Sequence, residues 1–479
     1  MQEIKVVTRF APSPTGFMHV GGIRTALYAW LWAKKNNGTF ILRIEDTDKK
    51  REVAGSIKHI IESLNWLGIN WDEGPNIGGS HASYFLQSER LDLYKKYAQI
   101  LIDKGLAYPD PYTEEEVGIF RDQAELAKKP FLYREHRPET FNVWDDMKPL
   151  RFKTPEIKSY KWNDLVYGDL SAGPEALDDF ILIKSDGYPT YNFAHIVDDI
   201  EMGVTHVMRG QEFISSTPKF LSIYEALGIK PPFYATLPPI MGADGKKKLG
   251  KRDGAKDVLE YRNEGYLPEA MINFLALLGW NPGDEREIFT VDELIKVFNI
   301  SRIGHSGAQM NLEKLDWINK EHIKKLSNEE LKENIFKYIP NNELKDLINI
   351  KNQLLEIISK RISKWGDVKE MIEKGELDFF YKEPKFSKEK LIYKNVSLEI
   401  ISNNLKQAIN ALESLKEKDF IVENIKNVLM QIANNLDSRG ELLHPVRYAL
   451  SGLDKSPDPF IIAEILGKNE TLSRLQKVI

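Results

Sequence analysis

Residues 4–44 constrain the fold more than any other stretch. Ile4–Phe10 (I-K-V-V-T-R-F) reads as a buried strand that ends in the small-residue loop Ala11–Gly16. Ile23, Leu27, Trp30 and Leu31 then recur at helical spacing, and Asn37-Gly38 stops the pattern before a second strand, Thr39–Ile44. A strand, helix, strand unit builds a parallel sheet, whose ligands sit at the carboxyl ends of the strands where loops meet helix N-termini. The fold class we expect is therefore α/β.

That unit accounts for a fraction of 479 residues, a length that suggests roughly three or four domains at about 150 residues each. From Tyr108 to about Phe180, Pro-rich and charged segments such as K-P-F-L-Y-R-E-H-R (Lys129–Arg137) interrupt the rhythm, which reads as an inserted domain. The strand-like run Asp179–Lys184 then resumes an alternating pattern up to the basic loop at Lys246–Arg252, where we expect the sheet to be completed. Beyond about Leu326 the chain turns helical, with Leu405, Ile409, Leu412 and Leu415 in one stripe and Ile421, Ile425, Val428 and Ile432 in another. Residues 254–325 link the two parts.

Composition excludes several classes. The apolar run Met271–Trp280 is far short of the ~20 residues of a membrane span and is broken by Asn273, so a soluble chain is expected. No basic then apolar leader follows Met1, and we expect the cytosol. With no cysteine there is no disulfide, thiolate metal site or thiol nucleophile. A net charge of −5 argues against a globally basic nucleic-acid binder but leaves room for local cationic patches.

Two motifs carry chemistry. In Pro12–Gly22 (P-S-P-T-G-F-M-H-V-G-G), His19 can donate to a phosphate, while Gly21 and Gly22 leave room for an adenosine and open a helix whose N-terminus favours anions. Lys246–Arg252 (K-K-K-L-G-K-R) puts five cations in seven residues, a pattern that suits a solvated loop or one closing over a triphosphate. Asp46 and Asp48 look like metal ligands, but a D-x-D beside a strand end more often caps and turns, so no protein-held metal is expected there.

H-V-G-G (His19–Gly22) and K-L-G-K-R (Lys248–Arg252), in this order across a split parallel sheet, resemble the two signatures of the class I aminoacyl-tRNA synthetases. Gly250 departs from that family, which usually has serine there, and so removes a hydroxyl donor. T-R-F-A-P-S-P-T-G (Thr8–Gly16), L-R-I-E-D-T-D (Leu42–Asp48), Q-S-E-R-L-D-L-Y (Gln87–Tyr94), G-Y-P-T-Y-N-F-A (Gly187–Ala194) and V-M-R-G-Q-E-F-I-S-S-T-P (Val207–Pro218) narrow the resemblance to glutamyl-tRNA synthetases of the bacterial type. H-P-V-R-Y-A-L-S-G and the closing I-L-G-K-N-E-T-L-S-R-L extend it to the C-terminal helices.

This resemblance implies a split Rossmann-type parallel-sheet catalytic domain with an inserted domain, followed by an all-α anticodon-binding region. Its halves would be 1–108 and 181–252, with 109–180 the inserted acceptor-end-binding domain. Residues 253–325 would connect to the tRNA stem, and 326–479 would read the anticodon. It implies catalysis by His19, Gly22, Lys248 and Lys251, and ATP binding, with Mg2+ carried by the substrate, by His19, Gly21, Gly22 and Lys251. Glutamate would meet Arg9 and Arg209 through its carboxylates, Arg9 favoured for the side chain, and Glu45 through its ammonium, beside Ala11, Ser13 and Tyr191. His195 either faces the substrate or fills the core. Arg361 would probe the third anticodon base, unless it is a solvated helix-surface arginine. The reaction would pass through glutamyl-adenylate to the 2'-hydroxyl of the terminal adenosine, by positioning and charge neutralisation without a protein nucleophile. Many relatives hold zinc in the inserted domain through cysteines; D-P-Y (Asp110–Tyr112) stands there instead, and no structural zinc is expected. The implied partners are tRNA(Glu), with tRNA(Gln) left open, L-glutamate and ATP, and we expect a monomer.

A glutaminyl enzyme would normally carry an all-β anticodon region, against the helical periodicity after Leu326. A truncated base-modifying paralogue would lack the second half altogether. A catalytically inactive tRNA-binding paralogue is the remaining alternative, and Gly250 is its one supporting feature.

Overall fold

The computed structural model describes residues 5–250, 256–340 and 342–479. It divides into two compact units, Met1–Arg262 with Pro268–Ile318, and Asn263–Leu267 with Asn319–Ile479.

In the first unit the strands are β1 (Val7–Phe10), β2 (Thr39–Leu42), β3 (Ala107–Pro109), β4 (Leu150–Phe152), β5 (Tyr160–Asp164), β6 (Gly168–Ala172), β7 (Ile181–Ile183), β8 (His206–Gly210), β9 (Phe233–Leu237), β10 (Ile240–Met241) and β11 (Ala308–Gln309). Helices α1 (Val20–Lys35), α2 (Ser56–Trp66), α3 (Leu91–Asp103), α4 (Glu114–Leu126), α5 (Tyr191–Glu201) and α6 (Thr217–Leu227) alternate with them. Helices α7 (Val258–Glu264), α8 (Pro268–Leu277), α9 (Val291–Val297) and α10 (Leu312–Ile323) follow.

The main sheet has the order β2-β1-β8-β9-β5-β6, parallel throughout except for the β5–β6 hairpin. Every residue of β1 and β2 is buried, as helices on both faces of a parallel sheet demand. The second strand leaves the ladder at Leu42, and Ile44 forms a separate bridge to Leu86.

The sheet is completed differently from the sequence expectation. Strand β7 does not join it but pairs antiparallel with β4 in a small β3-β4-β7 sheet, where Leu150, Phe152, Leu182 and Ile183 share a core with Tyr94 and Leu101 of α3 and Phe193 and Val197 of α5. The edge of the large sheet comes instead from β5 and β6, inside the stretch read as an insertion. Asp164 joins them to it. Its buried carboxylate accepts from Thr236 N (3.1 Å) and Thr236 Oγ1 (2.6 Å) of β9, and from Val166 N (2.9 Å) and Tyr167 N (3.0 Å) of its own turn.

The second unit is helical: α11 (Asn328–Tyr338), α12 (Asn342–Ile350), α13 (Gln353–Arg361), α14 (Gly366–Glu373), α15 (Leu398–Glu413), α16 (Val422–Ala433), α17 (Gly440–Ser451), α18 (Pro459–Leu466) and α19 (Lys468–Lys477). It opens on a capping box, Ser327 with Glu330, directly after Leu326. Leu405, Ile409 and Leu412 enter its core as their spacing requires. The second stripe is displaced: Ile421 is extended, precedes α16 and is 43% exposed, so Ile425, Leu429 and Ala433 form the buried face. Among the described residues no helix is long and apolar enough to cross a membrane.

Candidate active site

Alternation along β1 points Thr8 to one face, where its hydroxyl donates to Ala29 O of α1 (2.8 Å), and Arg9 to the other. There Arg9 meets Asp199 of α5, with Nε 3.1 Å from Oδ1 and Nη2 3.4 Å from Oδ2. Arg43, fully buried just beyond β2, donates to the same Asp199 (2.8 Å) and to Glu45 (2.9 Å), and its Nε lies 3.5 Å from Asp198. Asp198 also accepts from Arg90 Nε, Gln87 Nε2 (both 2.8 Å) and Tyr94 OH (2.9 Å). Three guanidiniums thus balance three carboxylates out of water, where little solvent screens their attraction and where removing one partner would leave a buried charge unpaired. Burial pushes the Asp199 carboxyl up, but Arg9 and Arg43 outweigh it and hold the group at about 2. Among the described residues the Glu45 carboxylate has only Arg43 as a direct partner, and burial leaves its carboxyl above the ordinary range.

Arg209, at the end of β8, is the exception to this balance. It is 6% exposed and donates through Nη2 to Thr217 Oγ1 (2.9 Å). Phe213, Phe220 and Tyr234 surround its guanidinium at 4.6–5.5 Å, and among the described residues its buried Nη1 has no hydrogen-bond partner. No carboxylate among the described residues pairs with it. Tyr191 and His195 of α5 stack beside it with centroids 4.6 Å apart. Burial lifts the Tyr191 phenol, which also senses Glu45, Arg209, Arg9 and Asp199. Burial drives His195 down to about 3, so the ring is neutral; Nδ1 donates to Tyr191 O (2.6 Å), and Nε2 is left as an acceptor. Ser13, Glu45 and Tyr191 line a cavity of about 390 Å3 that is rimmed by Lys49, Lys50, Arg51 and Lys184.

A second cavity, of about 510 Å3, lies against the N-terminus of α1, lined by His19, Gly21, Gly22, Arg24, Gly210, Glu212, Lys248 and Gly250 among others. Both volumes fall in the range of ligand clefts. Consecutive residues of β8 serve the two regions, Arg209 among the aromatics and Gly210 at the second cavity, beside β1 where the strand order reverses. His19 caps α1: its Nδ1 accepts from Gly21 N (3.1 Å), and its carbonyl accepts from Gly22 N and Ile23 N. The ring proton therefore sits on Nε2. A Cβ on Gly21 would come within 2.9 Å of the His19 ring, so the glycine protects that cap as well as opening space. Lys248 lies 3.2 Å from Glu212 and is 58% exposed, a weak pairing that a stronger anion can replace. Lys251 lies outside the described residues.

Ala11 sits half-buried after β1 and lines neither cavity. Asp46 accepts from Ser88 N (2.9 Å) and Lys49 (2.7 Å), and Asp48 from Arg51 (2.6 Å), so both carboxylates are engaged in hydrogen bonding and local ion pairs. Asp110 is buried against Arg151 (2.6 Å) and Tyr133 OH, with the Arg151 guanidinium 3.4 Å above the Tyr133 ring. Arg361, at the end of α13, pairs with Glu376 and lines a cavity of about 590 Å3 with Lys360, Ile357, Val422, Pro457 and Ile461. Sequence reasoning did not single out Arg43, Arg90, Asp198, Asp199 or Arg24, the last buried and donating to Leu278 O (3.0 Å) and Pro238 O. The available signal was I-V-D-D-I in α5, two acids at positions where the helix otherwise buries apolar residues.

The chain matches the family profile "tRNA synthetases class I (E and Q), catalytic domain" over residues 5–317 and the profile "Anticodon binding domain" over 308–479. It is 43% identical to a glutamate-tRNA ligase of Clostridium botulinum, with 98% of this chain and 97% of that one aligned. It is 40% identical to the glutamate-tRNA ligase of Thermodesulfovibrio yellowstonii, with 99% of each aligned. A crystal structure of a glutamate tRNA ligase from Elizabethkingia meningosepticum in complex with its amino acid superposes with a TM-score of 0.84 at 35% identity, covering 99% of both chains.

Proposed function

The chain belongs to the class I tRNA synthetases of the glutamate and glutamine family, and from that premise we propose that it is a glutamate-tRNA ligase driven by ATP. One observation carries the choice of amino acid. The buried cluster of Arg9, Arg43, Arg90, Glu45, Asp198 and Asp199 is neutral in sum, and Arg209 adds one cation that no carboxylate among the described residues compensates, with a buried Nη1 that donates to none of them. A ligand of net charge −1 cancels it. Glutamate, with two carboxylates and one ammonium, has that charge; glutamine has none and would leave a buried cation unpaired.

In this reading Arg9 and Arg209 take the two carboxylates, Glu45 takes the ammonium beside Ala11 and Ser13, and Tyr191 and His195 close the pocket. ATP, with Mg2+ carried on its phosphates, occupies the second cavity over Gly21 and Gly22. The glutamate α-carboxylate attacks the α-phosphate and pyrophosphate departs. His19 donates from Nε2 to a phosphate oxygen, and Lys248 and Lys251 offset charge on the leaving group. The 2'-hydroxyl of the terminal adenosine then attacks the adenylate carbonyl and AMP leaves. Nothing in this sequence needs a side-chain nucleophile.

The helical unit supports the reading of an anticodon binder, with the Arg361 cavity offering a cationic rim and apolar floor to a splayed base. The strands and α4 between 109 and 180 would receive the acceptor end and 253–325 the stem. The buried Asp110–Arg151–Tyr133 cluster supports an insertion that folds without zinc. A monomer in the cytoplasm suits a function that needs only tRNA, glutamate and ATP.

The test is charging of purified glutamate and glutamine tRNAs with labelled glutamate, with labelled glutamine as the control amino acid and a tRNA-free ATP–pyrophosphate exchange arm. Glutamate on tRNA(Glu) alone makes the enzyme discriminating, and glutamate on both makes it non-discriminating. Absence of charging in every arm refutes the proposal.

A further inference from the structure

We propose that His59 is a positioning residue for adenylate formation, acting by clamping the chain where it emerges from the basic loop against the residue before His19. This rests on the ATP activation proposed above. His59 lies in the first turn of α2, is 9% exposed, and belongs to none of the motifs. Its Nε2 sits 2.7 Å from both carboxylate oxygens of Asp257, and its Nδ1 accepts from Met18 N (3.3 Å). Ser63 Oγ lies 3.3 Å from the same Nδ1, and Phe17 stacks on the ring at 4.6 Å.

An imidazole accepting at Nδ1 carries its proton on Nε2, so one ring reads an amide on one side and a carboxylate on the other. Asp257 follows Lys251 by six residues in the sequence. Its backbone bridges His19, Val258 N donates to Met18 O (3.0 Å), and Asp257 Oδ1 accepts from Leu259 N (2.8 Å). At the other end of the loop Lys248 bridges Met241, and Leu249 N donates to Ile240 O (2.7 Å). The exit of the loop is thus tied to the phosphate-side motif through His59, while its entry is tied to β10. Lysines that stabilise a leaving pyrophosphate contribute only when held in register with the reacting phosphate, and small displacements there cost rate rather than ground-state binding.

The surgical variants are His59→Asn, which keeps an acceptor for Met18 N but cannot reach Asp257, and Asp257→Ser, which keeps a cap for Leu259 N but cannot reach His59. The readout is tRNA-dependent ATP–pyrophosphate exchange normalised to titrated active sites. Each variant should lose about tenfold or more in kcat, with KM for glutamate and tRNA affinity within twofold of wild type. The double variant should be no slower than the slower single one. Normal kcat per active site in either variant, a parallel change in all parameters, or multiplicative losses in the double variant would overturn the clamp. Should His59→Asn fail to fold, Asp257→Ser and His59→Gln carry the same comparison, with Gln, which still reaches Asp257, expected to retain most of the rate. Exchange absent from wild type itself would refute the activity rather than the clamp.

Discussion

Replacing Asp199 by Asn tests whether the buried charge balance is what the geometry says it is. Asn has nearly the shape of a protonated Asp, so the substitution removes charge and little else. In the folded protein Arg9 and Arg43 hold Asp199 at about 2, against about 3.9 in an unfolded chain, a difference worth roughly 2.5 kcal/mol at neutral pH. Because the folded value is the lower one, this contribution is complete above about pH 4 and is lost as pH falls toward 2. The variant should therefore be less stable by about 2.5 kcal/mol at pH 7, and by only about half of that at pH 3. Urea titration followed by tryptophan fluorescence suits the question, since eight of the nine tryptophans lie in the first unit. A deficit below about 1 kcal/mol at pH 7, or one that stays constant down to pH 3, would show that Asp199 does not carry the charge of Arg9 and Arg43.

Arg209→Leu should raise KM for glutamate by about 100-fold or more, while stability stays within about 1 kcal/mol of wild type, because a buried donor without a partner is removed along with the charge; steady-state charging and denaturation of the same preparation check both halves. His195 is held neutral down to about 3, below its unfolded value near 6.5, so protonation favours the unfolded chain and stability falls as pH drops below 6.5. His195→Asn should escape that loss, and the two proteins should diverge by about 2 kcal/mol between pH 7.5 and 5 in urea titrations. Lys251→Ala should abolish pyrophosphate exchange with tRNA affinity unchanged by filter binding; unaltered exchange would remove the basic loop from the mechanism.

What was legible in the sequence is what local patterns encode. The β1, α1, β2 unit, the loop before His19 and the helical second half follow from spacing and punctuation that any neighbour would respect. Partner choice is different. The run D-F-I-L-I-K declares a strand, but nothing in it distinguishes the large sheet from the small one, and the decision belongs to α3 and α5, whose apolar faces cover β7. Ile421 fits a helical stripe by spacing yet precedes the helix, because periodicity does not mark where the first turn begins. In the site, Arg9, Glu45, Tyr191 and Arg209 could be named because they stand in the motifs that carry the family resemblance, not from their types alone. Asp198 and Asp199 could not, since acids in a helix core contradict the amphipathic rule until Arg9, Arg43 and Arg90 are seen to converge on them. His59 and Asp257 lie 198 residues apart, a pairing that only tertiary structure reveals.

The hairpin of β5 and β6 bears on how such a chain can be rearranged. Because Asp164 ties it to β9 before the chain returns to form β7, the large and small sheets are interleaved rather than concatenated. Neither can be finished without a strand that the other's segment brings along, so the nascent chain must hold β1 and β2 open until β8 and β9 emerge, roughly two hundred residues later. Long-range closure of this sort is slow and leaves sheet edges uncovered in the meantime. Transplanting residues 107–183 as a cassette between relatives would carry away the rim of the recipient's sheet, whereas exchanges confined to 110–149 leave every strand of the large sheet with its owner.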